Sequence, residues 1–128
     1  MAKMFVAGMY FHYGKQKRPG VLAETTFEAI LSGERTSTTR FDVWKGSDRW
    51  KLAQPGDTIR FYDSQDLAGR CVIVTVERVT RINLSEFTDE QYEEWSRVEG
   101  WSVKHARSLA ALGAATQIIY SNPQPQSG

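Results

Sequence analysis

The chain has one cysteine, Cys71, in 128 residues. A lone cysteine closes no internal disulfide, so a reducing cytoplasm is the compartment expected. No apolar run approaches the ~20 residues that span a bilayer. The apolar stretch before Tyr10-Phe11-His12 is also too short for the core of a signal peptide, so the chain is expected to be neither exported nor embedded in a membrane. Net charge is nearly absent, since 16 Lys and Arg stand against 15 Asp and Glu, leaving +1. That balance argues against a tail-driven or histone-like nucleic-acid binder, but a local basic patch remains compatible with it, because field follows arrangement as well as sum. Histidine occurs twice, as the isolated His12 and His105. There is no CxxC, HExxH, GxxxxGK[ST] or GxGxxG spacing, so no metal site from sequence-local ligands and no cofactor are expected. His12 reads as a polar strand end, and Cys71, set among valines, as a buried inert thiol.

What is present is ordinary globular composition, 41% hydrophobic, at a length suited to one domain. Lys3 to Tyr13 reads as a strand. Gly14-Lys15-Gln16-Lys17-Arg18-Pro19-Gly20 is a loop and the densest positive run. Thr25-Thr26-Phe27-Glu28 matches a capping box, Phe27, Ile30 and Leu31 keep helical spacing, and Gly33 suits a C-terminal cap, which predicts a helix over 25–32. Arg35 to Arg40 reads as a threonine-rich strand with no apolar residue, and so with no face to give an oily core. Phe41 to Lys51 reads as a long loop, Pro55-Gly56-Asp57 as a turn, and Thr58 to Asp63 as a strand with Ile59 and Phe61 on one face.

Gly69 to Ile82 is the clearest strand, apolar on both faces, and suits packing against a barrel interior and a helix. Thr88–Glu99 and Val103–Leu112 read as helices, stopped by Gly100 and Gly113, and Thr116–Tyr120 as a last short strand. Residues 1–121 form one domain in this reading, and 122–128, with two prolines and no apolar residue, a flexible tail. The order β-α-β-β-β-α-α-β with an antiparallel core predicts an α+β, partly closed barrel.

Three features carry chemistry. Along Arg35-Thr36-Ser37-Thr38-Thr39-Arg40, period-two geometry places Thr36, Thr38 and Arg40 on one face and Arg35, Ser37 and Thr39 on the other. Such hydroxyls and guanidiniums grip a phosphate or the polar edge of a base, and a solvated edge strand has the same composition. Tyr92, Trp95 and Glu99 share a helix face. If that face packs inward, a carboxylate points at the barrel from a helix C-terminus, against the dipole; if the helix ends early, Glu99 is solvated. Trp44, Trp50 and Trp101 lie among polar residues, where aromatics either stack on bases or plug barrel ends.

The segment Gly33-Glu34-Arg35-Thr36-Ser37-Thr38-Thr39-Arg40 resembles the ASCH family signature, Gly-x-Lys-x-x-Glu-x-Arg or a close variant. Phe27 to Ser32 resembles the family's I-L-x-G lead-in, and Pro55 to Phe61 its G-D-x-I-x-F strand. Val72 to Thr80 resembles its V-x-V-x-x-V strand, and Val98-Glu99-Gly100-Trp101 its Glu-Gly helix end. The resemblance spans about residues 4 to 121 and implies a PUA-like, mixed but mainly antiparallel, partly closed β-barrel with short flanking helices and a cleft beside the motif strand. Thr38, where the common pattern has Glu, is closest to the branch that hydrolyses acetylcytidine, whose proposed Lys, Thr and Glu map onto Arg35, Thr38 and Glu99. An arginine does not serve as a base where lysine does, but it holds an oxyanion or carbonyl oxygen.

Three functions follow as expectations. The first is binding of RNA or a modified nucleoside in the cleft. Arg35, Thr36, Thr38 and Arg40 would meet polar edges, Trp44, Trp50 or Trp101 would stack, and Lys15, Lys17 and Arg18 would attract phosphate. The second is an amidohydrolase acting on an acylated pyrimidine nucleoside. The third is a metal-independent ribonuclease.

Overall fold

A computed structural model describes residues 2–8, 26–62, 70–99 and 103–126. His12, the basic loop with Lys15, Lys17 and Arg18, and Trp101 lie outside the described residues. The strands are β1 (Met4–Gly8), β2 (Ser37–Phe41), β3 (Thr58–Tyr62), β4 (Cys71–Asn83) and β5 (Ala114–Gln126). The α-helices are α1 (Thr26–Ser32), α2 (Asp89–Glu99) and α3 (Val103–Ser108), with 3-10 turns at Ser47–Leu52, Leu84–Glu86 and Ala110–Leu112. Among the described residues no helix is long and apolar enough to cross a membrane.

The strands make one sheet in the order β1-β3-β4-β5-β2. β1 and β3 are parallel, and every other pair is antiparallel. The register of β4 against β5 shifts between Ile73 and Thr75 and again between Val76 and Arg78. Such irregularities bend a strand and sharpen its twist, and they curl this long pair into a half-barrel. The result is the α+β, mainly antiparallel, partly closed barrel expected.

Alternation along the strands builds two cores. Phe5, Ala7, Ile59, Phe61, Val72, Val74, Val76, Ile118 and Tyr120 line one, closed by Phe27 and Ile30 from α1 and by Trp50 and Ala53. Phe41, Leu84, Tyr92, Trp95, Ala106 and Ala115 form the other, between β2, β5, α2 and α3. Ile118 and Tyr120 differ in parity from Ala115, so β5 serves both cores from opposite faces.

Four elements differ from expectation. The 41–51 segment is not one long loop, because β2 runs through Phe41 and the Ser47–Leu52 turn carries Trp50 into the barrel. The helix expected over 103–112 divides into α3 and a 3-10 turn, which Gly113 ends at φ 71°. The strand expected to give no oily face indeed gives none, but it has Ser37, Thr38 and Thr39 buried among polar groups. The tail expected from Asn122 is β5 through Gln126, with Ile73 opposite Gln124, Val72 opposite Pro125 and Cys71 opposite Gln126. Among the described residues the ladder of β2 along β5 ends at Ile119, with the Tyr120 N–H still donating to Thr36 O. Prolines two apart on β5 can direct their missing donors away from β4 without losing a ladder bond to it.

The Pro55-Gly56-Asp57 turn leads from the Ser47–Leu52 turn into β3 and is tied by a hydrogen bond to Lys3, the residue before β1. Gly56 has φ 93°, a backbone position that favours glycine. Asp57 is buried. Its Oδ1 accepts the Lys3 backbone N–H at 2.8 Å and its Oδ2 that of Gln54 at 2.9 Å. The Lys3 bond chiefly holds this carboxyl below its ordinary range, with the Gln54 bond and nearby positive charge adding to the effect and burial opposing it. Asp57→Asn is expected to destabilise the fold by about 2 kcal/mol, through weakened charge-assisted bonds. Because the folded carboxyl is depressed, its contribution is present above the unfolded value of about 3.9 and is lost as pH falls through the folded value. Thermal melts should therefore separate the variant from the parent most at neutral pH and least in acid; a gap that does not change with pH would contradict this account.

Candidate binding site at strand β2

The approach to β2 is set by backbone bonds. Gly33, at φ 83°, turns the chain out of α1, and the Arg35 N–H returns to Ala29 O at 3.0 Å. The Thr36 N–H then donates to Val98 O at 2.7 Å, while Thr36 O accepts from Tyr120 N–H at 2.9 Å. One residue thus ties the start of β2 to β5 and to the last turn of α2, which brings Glu99 against the strand. α2 itself begins with a reciprocal cap. Thr88 N–H donates to Gln91 Oε1 at 2.8 Å, and Gln91 N–H to Thr88 Oγ1 at 3.2 Å, a capping box that sets where the helix starts and hence where it ends.

Glu99 is wholly buried. Ser37 Oγ and Thr39 Oγ1 both donate to its Oε2, the latter at 3.0 Å. The direction of these bonds is determined by what lies behind them. Trp95 Nε1–H, which can only donate, reaches Thr39 Oγ1 at 2.9 Å, and Gln117 Nε2 reaches Ser37 Oγ at 3.5 Å. Each hydroxyl accepts from behind and passes its own proton towards the carboxylate. Arg35 Nη2 lies 3.6 Å from the other oxygen, Oε1. The same guanidinium donates from Nη2 to Thr38 Oγ1 at 3.2 Å and from Nε to Ser37 O at 2.9 Å. Donors thus converge on a carboxyl group that stands at the negative end of α2.

Arg35, Thr38 and Glu99 are therefore neighbours, as the motif implied, with Arg35 between the other two. The hydroxyls that bond Glu99 are Ser37 and Thr39. Residues one apart on a strand point to opposite faces, so the face that meets α2 presents 37 and 39. Thr36 is half-buried. The half-buried Arg40 lays its Cζ 4.4 Å from the Trp50 ring centroid. Trp50 is only 2% exposed and stacks on Phe5 at 4.9 Å, so it is a core residue and not an open stacking face. Trp44 is 37% exposed and meets Phe41 edge-on, which makes it the exposed tryptophan among the described residues. Trp101, Lys15, Lys17 and Arg18 lie outside them.

Reasoning from sequence did not single out Ser37, Thr39, Trp95 or Gln117 as a relay. The signal was the face shared by Arg35, Ser37 and Thr39, and only packing shows that α2 covers it. It also did not single out the fork beside β2, where Arg81 Nη1 donates to Asp42 Oδ1 at 2.8 Å and Nη2 to Oδ2 at 2.5 Å. Arg81 chiefly holds the Asp42 carboxyl below its usual range, by hydrogen bonding first and charge second. Cys71 is buried. Among the described residues no group of three His, Cys, Asp or Glu is placed to hold a metal ion.

Removing the carboxylate should cost more than removing a donor behind it. Glu99→Ala leaves the Arg35 charge and two hydroxyls buried without their acceptor and is expected to cost about 3–5 kcal/mol. Trp95→Phe deletes one N–H while keeping most of the ring's bulk, for about 1–2 kcal/mol. Urea unfolding of both variants checks the order, and equal losses would show that the relay is not what holds the strand.

The fold has counterparts among solved structures. An ASCH protein of Zymomonas mobilis superposes with a TM-score of 0.62 at 15% identity, over 96% of this chain and 70% of that one. The ASCH domain of Lactobacillus crispatus gives 0.54 at 13%, over 91% and 79%. A protein of Enterococcus faecalis gives 0.55 at 13%, over 77% and 66%. No family model and no curated protein matches the sequence. The half-barrel and these superpositions agree on one conclusion: the chain has the fold of the ASCH structures, an α+β half-barrel.

Proposed function

We propose that this chain binds RNA or a modified nucleoside at the edge of β2, with Arg35, Thr36, Thr38 and Arg40 meeting the polar edge of a base or a phosphate. The observation that carries the reading is the single nitrogen, Arg35 Nη2, at 3.2 Å from Thr38 Oγ1 and 3.6 Å from Glu99 Oε1. A guanidinium held between a hydroxyl and a carboxylate in this way is fixed in orientation towards one ligand edge. Trp44 is the described aromatic with surface to stack on a base. These residues belong to the segment that resembles the ASCH signature. A reducing cytoplasm suits the lone buried Cys71.

Hydrolysis of an acylated pyrimidine nucleoside is the second reading, favoured by the same convergence of Arg35, Thr38 and Glu99. Its weak point is specific. Glu99 bonds the Ser37 and Thr39 hydroxyls, and the group next to Thr38 Oγ1 is an arginine, which takes no proton from it.

Calorimetric titration with nucleosides and a short single-stranded RNA tests the binding reading. Binding of the RNA is expected to weaken steeply with salt, and Thr38→Val to weaken the base-dependent part roughly tenfold at a stability cost of about 1 kcal/mol from the stranded Arg35 donor. Absence of RNA and nucleoside affinity at low salt would end this reading. Incubation with acetylcytidine separates the second: deacetylation that Thr38→Ala and Glu99→Gln both abolish supports it, and Arg35→Lys reports whether lysine restores a step that arginine does not perform.

A further inference from the structure

Just past the end of β2, Asp42 keeps the parity of Thr38 and Arg40, and cations surround it. In the ladders Arg40 stands opposite Thr116, and Thr116 opposite Arg81. Thr38 likewise stands opposite Ile118, and Ile118 opposite Val79. Residues in register point to the same side of a sheet, so Thr38, Thr116 and Arg81 share a face. Arg81 lies two strands across from Thr38 and two residues along, about 9.6 Å one way and about 6.6 Å the other. Its fork takes both oxygens of Asp42, and Nη1 also donates to Thr116 Oγ1 at 2.8 Å. Lys51 Nζ, from the Ser47–Leu52 turn, lies 3.9 Å from Asp42 Oδ1 and 3.2 Å from Oδ1 of the exposed Asp48. The side chains of Arg81 and Lys51 are 50% and 41% exposed, so a solute reaches both. The Asp42 backbone is held separately, its N–H by Ala114 O at 3.0 Å and its carbonyl by Ser47 Oγ at 3.3 Å. The carboxylate can therefore turn away while the chain stays in place. A guanidinium fork with an ammonium beside it is a donor set that takes phosphate as well as carboxylate. An exposed ion pair contributes little to stability, so an anion of higher charge displaces the carboxylate at small cost.

We propose that the Asp42 carboxylate is the built-in occupant of a phosphate fork: the phosphate ester of a nucleotide takes its place on Arg81 and Lys51, with the base edge at Arg35 and Thr38. The proposal rests on the binding reading. It adds a ligand class, phosphorylated nucleosides, and a brake, because the carboxylate competes with the phosphate for the same donors. Asp42, Lys51 and Arg81 come from separate stretches of the chain, so no sequence motif marks the fork.

The test compares nucleosides with their own phosphates. Adenosine, cytidine, guanosine and uridine and their 3′- and 5′-monophosphates are titrated calorimetrically into the parent protein, Asp42→Asn, Lys51→Gln and the double variant Asp42→Asn/Arg81→Gln. Glu90→Gln, which removes the same charge from the exposed face of α2, serves as control, and circular dichroism checks that each protein is folded. The expected result is that at least one monophosphate binds the parent more tightly than its nucleoside. Asp42→Asn should widen that preference about fivefold, and adding Arg81→Gln should remove the gain. Lys51→Gln should narrow the preference of the parent, and this change at an exposed residue decides the matter if Asp42→Asn does not fold. Glu90→Gln should leave the preference where it was. A preference that Asp42→Asn does not widen, that Lys51→Gln does not narrow, or that widens equally in Glu90→Gln would overturn the fork while the binding reading stands. So would a gain that survives Arg81→Gln, or nucleosides binding as tightly as their phosphates throughout. No binding of any nucleoside or nucleotide to any of these proteins would overturn both.

Discussion

Glu99 stands fully buried at the end of α2, where neither solvent nor the helix dipole favours its charge. It faces a strand whose Ser37, Thr38 and Thr39 are also buried. Each of these features is costly alone, and together they resolve one another. The carboxylate accepts the hydroxyls of Ser37 and Thr39, Arg35 faces its other oxygen, and the same arginine satisfies Thr38 and the Ser37 carbonyl. A polar strand therefore lies within a folded chain with the hydroxyls of Ser37, Thr38 and Thr39 each hydrogen-bonded. Such a network is demanding, since loss of one member strands the rest in a low-dielectric setting.

The two faces of β2 consequently have different work. The face with Ser37 and Thr39 meets Glu99 and Trp95 and is part of the scaffold. The opposite parity carries Thr38 and Arg40, the latter at Trp50. Arg35, preceding the strand, touches groups of both parities. The support is thus carried by one parity of a single strand, an arrangement that holds a guanidinium in a set orientation by a shell of fixed donors and acceptors.

Identity to the superposed ASCH structures is 13–15%, so what is shared is the backbone path and the patterning that builds it. One fold carries many chemistries, and the groups at the site decide among them. Here those groups are Arg35 and a carboxylate already engaged by two hydroxyls.

Much of the architecture was legible along the chain. The valines of β4 and the pair Ile59 and Phe61 show alternation that only a strand exploits, and Tyr92, Trp95 and Glu99 fall on one helix face whatever the helix packs against. Other features left no local trace. Residues 122–126 lack apolar side chains, and their place in β5 comes from the open pairing groups of β4. Trp50 sits among polar neighbours in sequence, and its burial comes from Phe5, a distant residue. The sequence by itself determined the order of the elements, the Arg35–Arg40 motif strand, and which hydroxyls share a face, because periodicity is a property of consecutive residues. Only the tertiary structure decided that Glu99 bonds Ser37 and Thr39, that Arg35 stands between it and Thr38, and that Arg81 reaches Asp42, because each of those contacts closes across separate elements whose packing is set by the whole core.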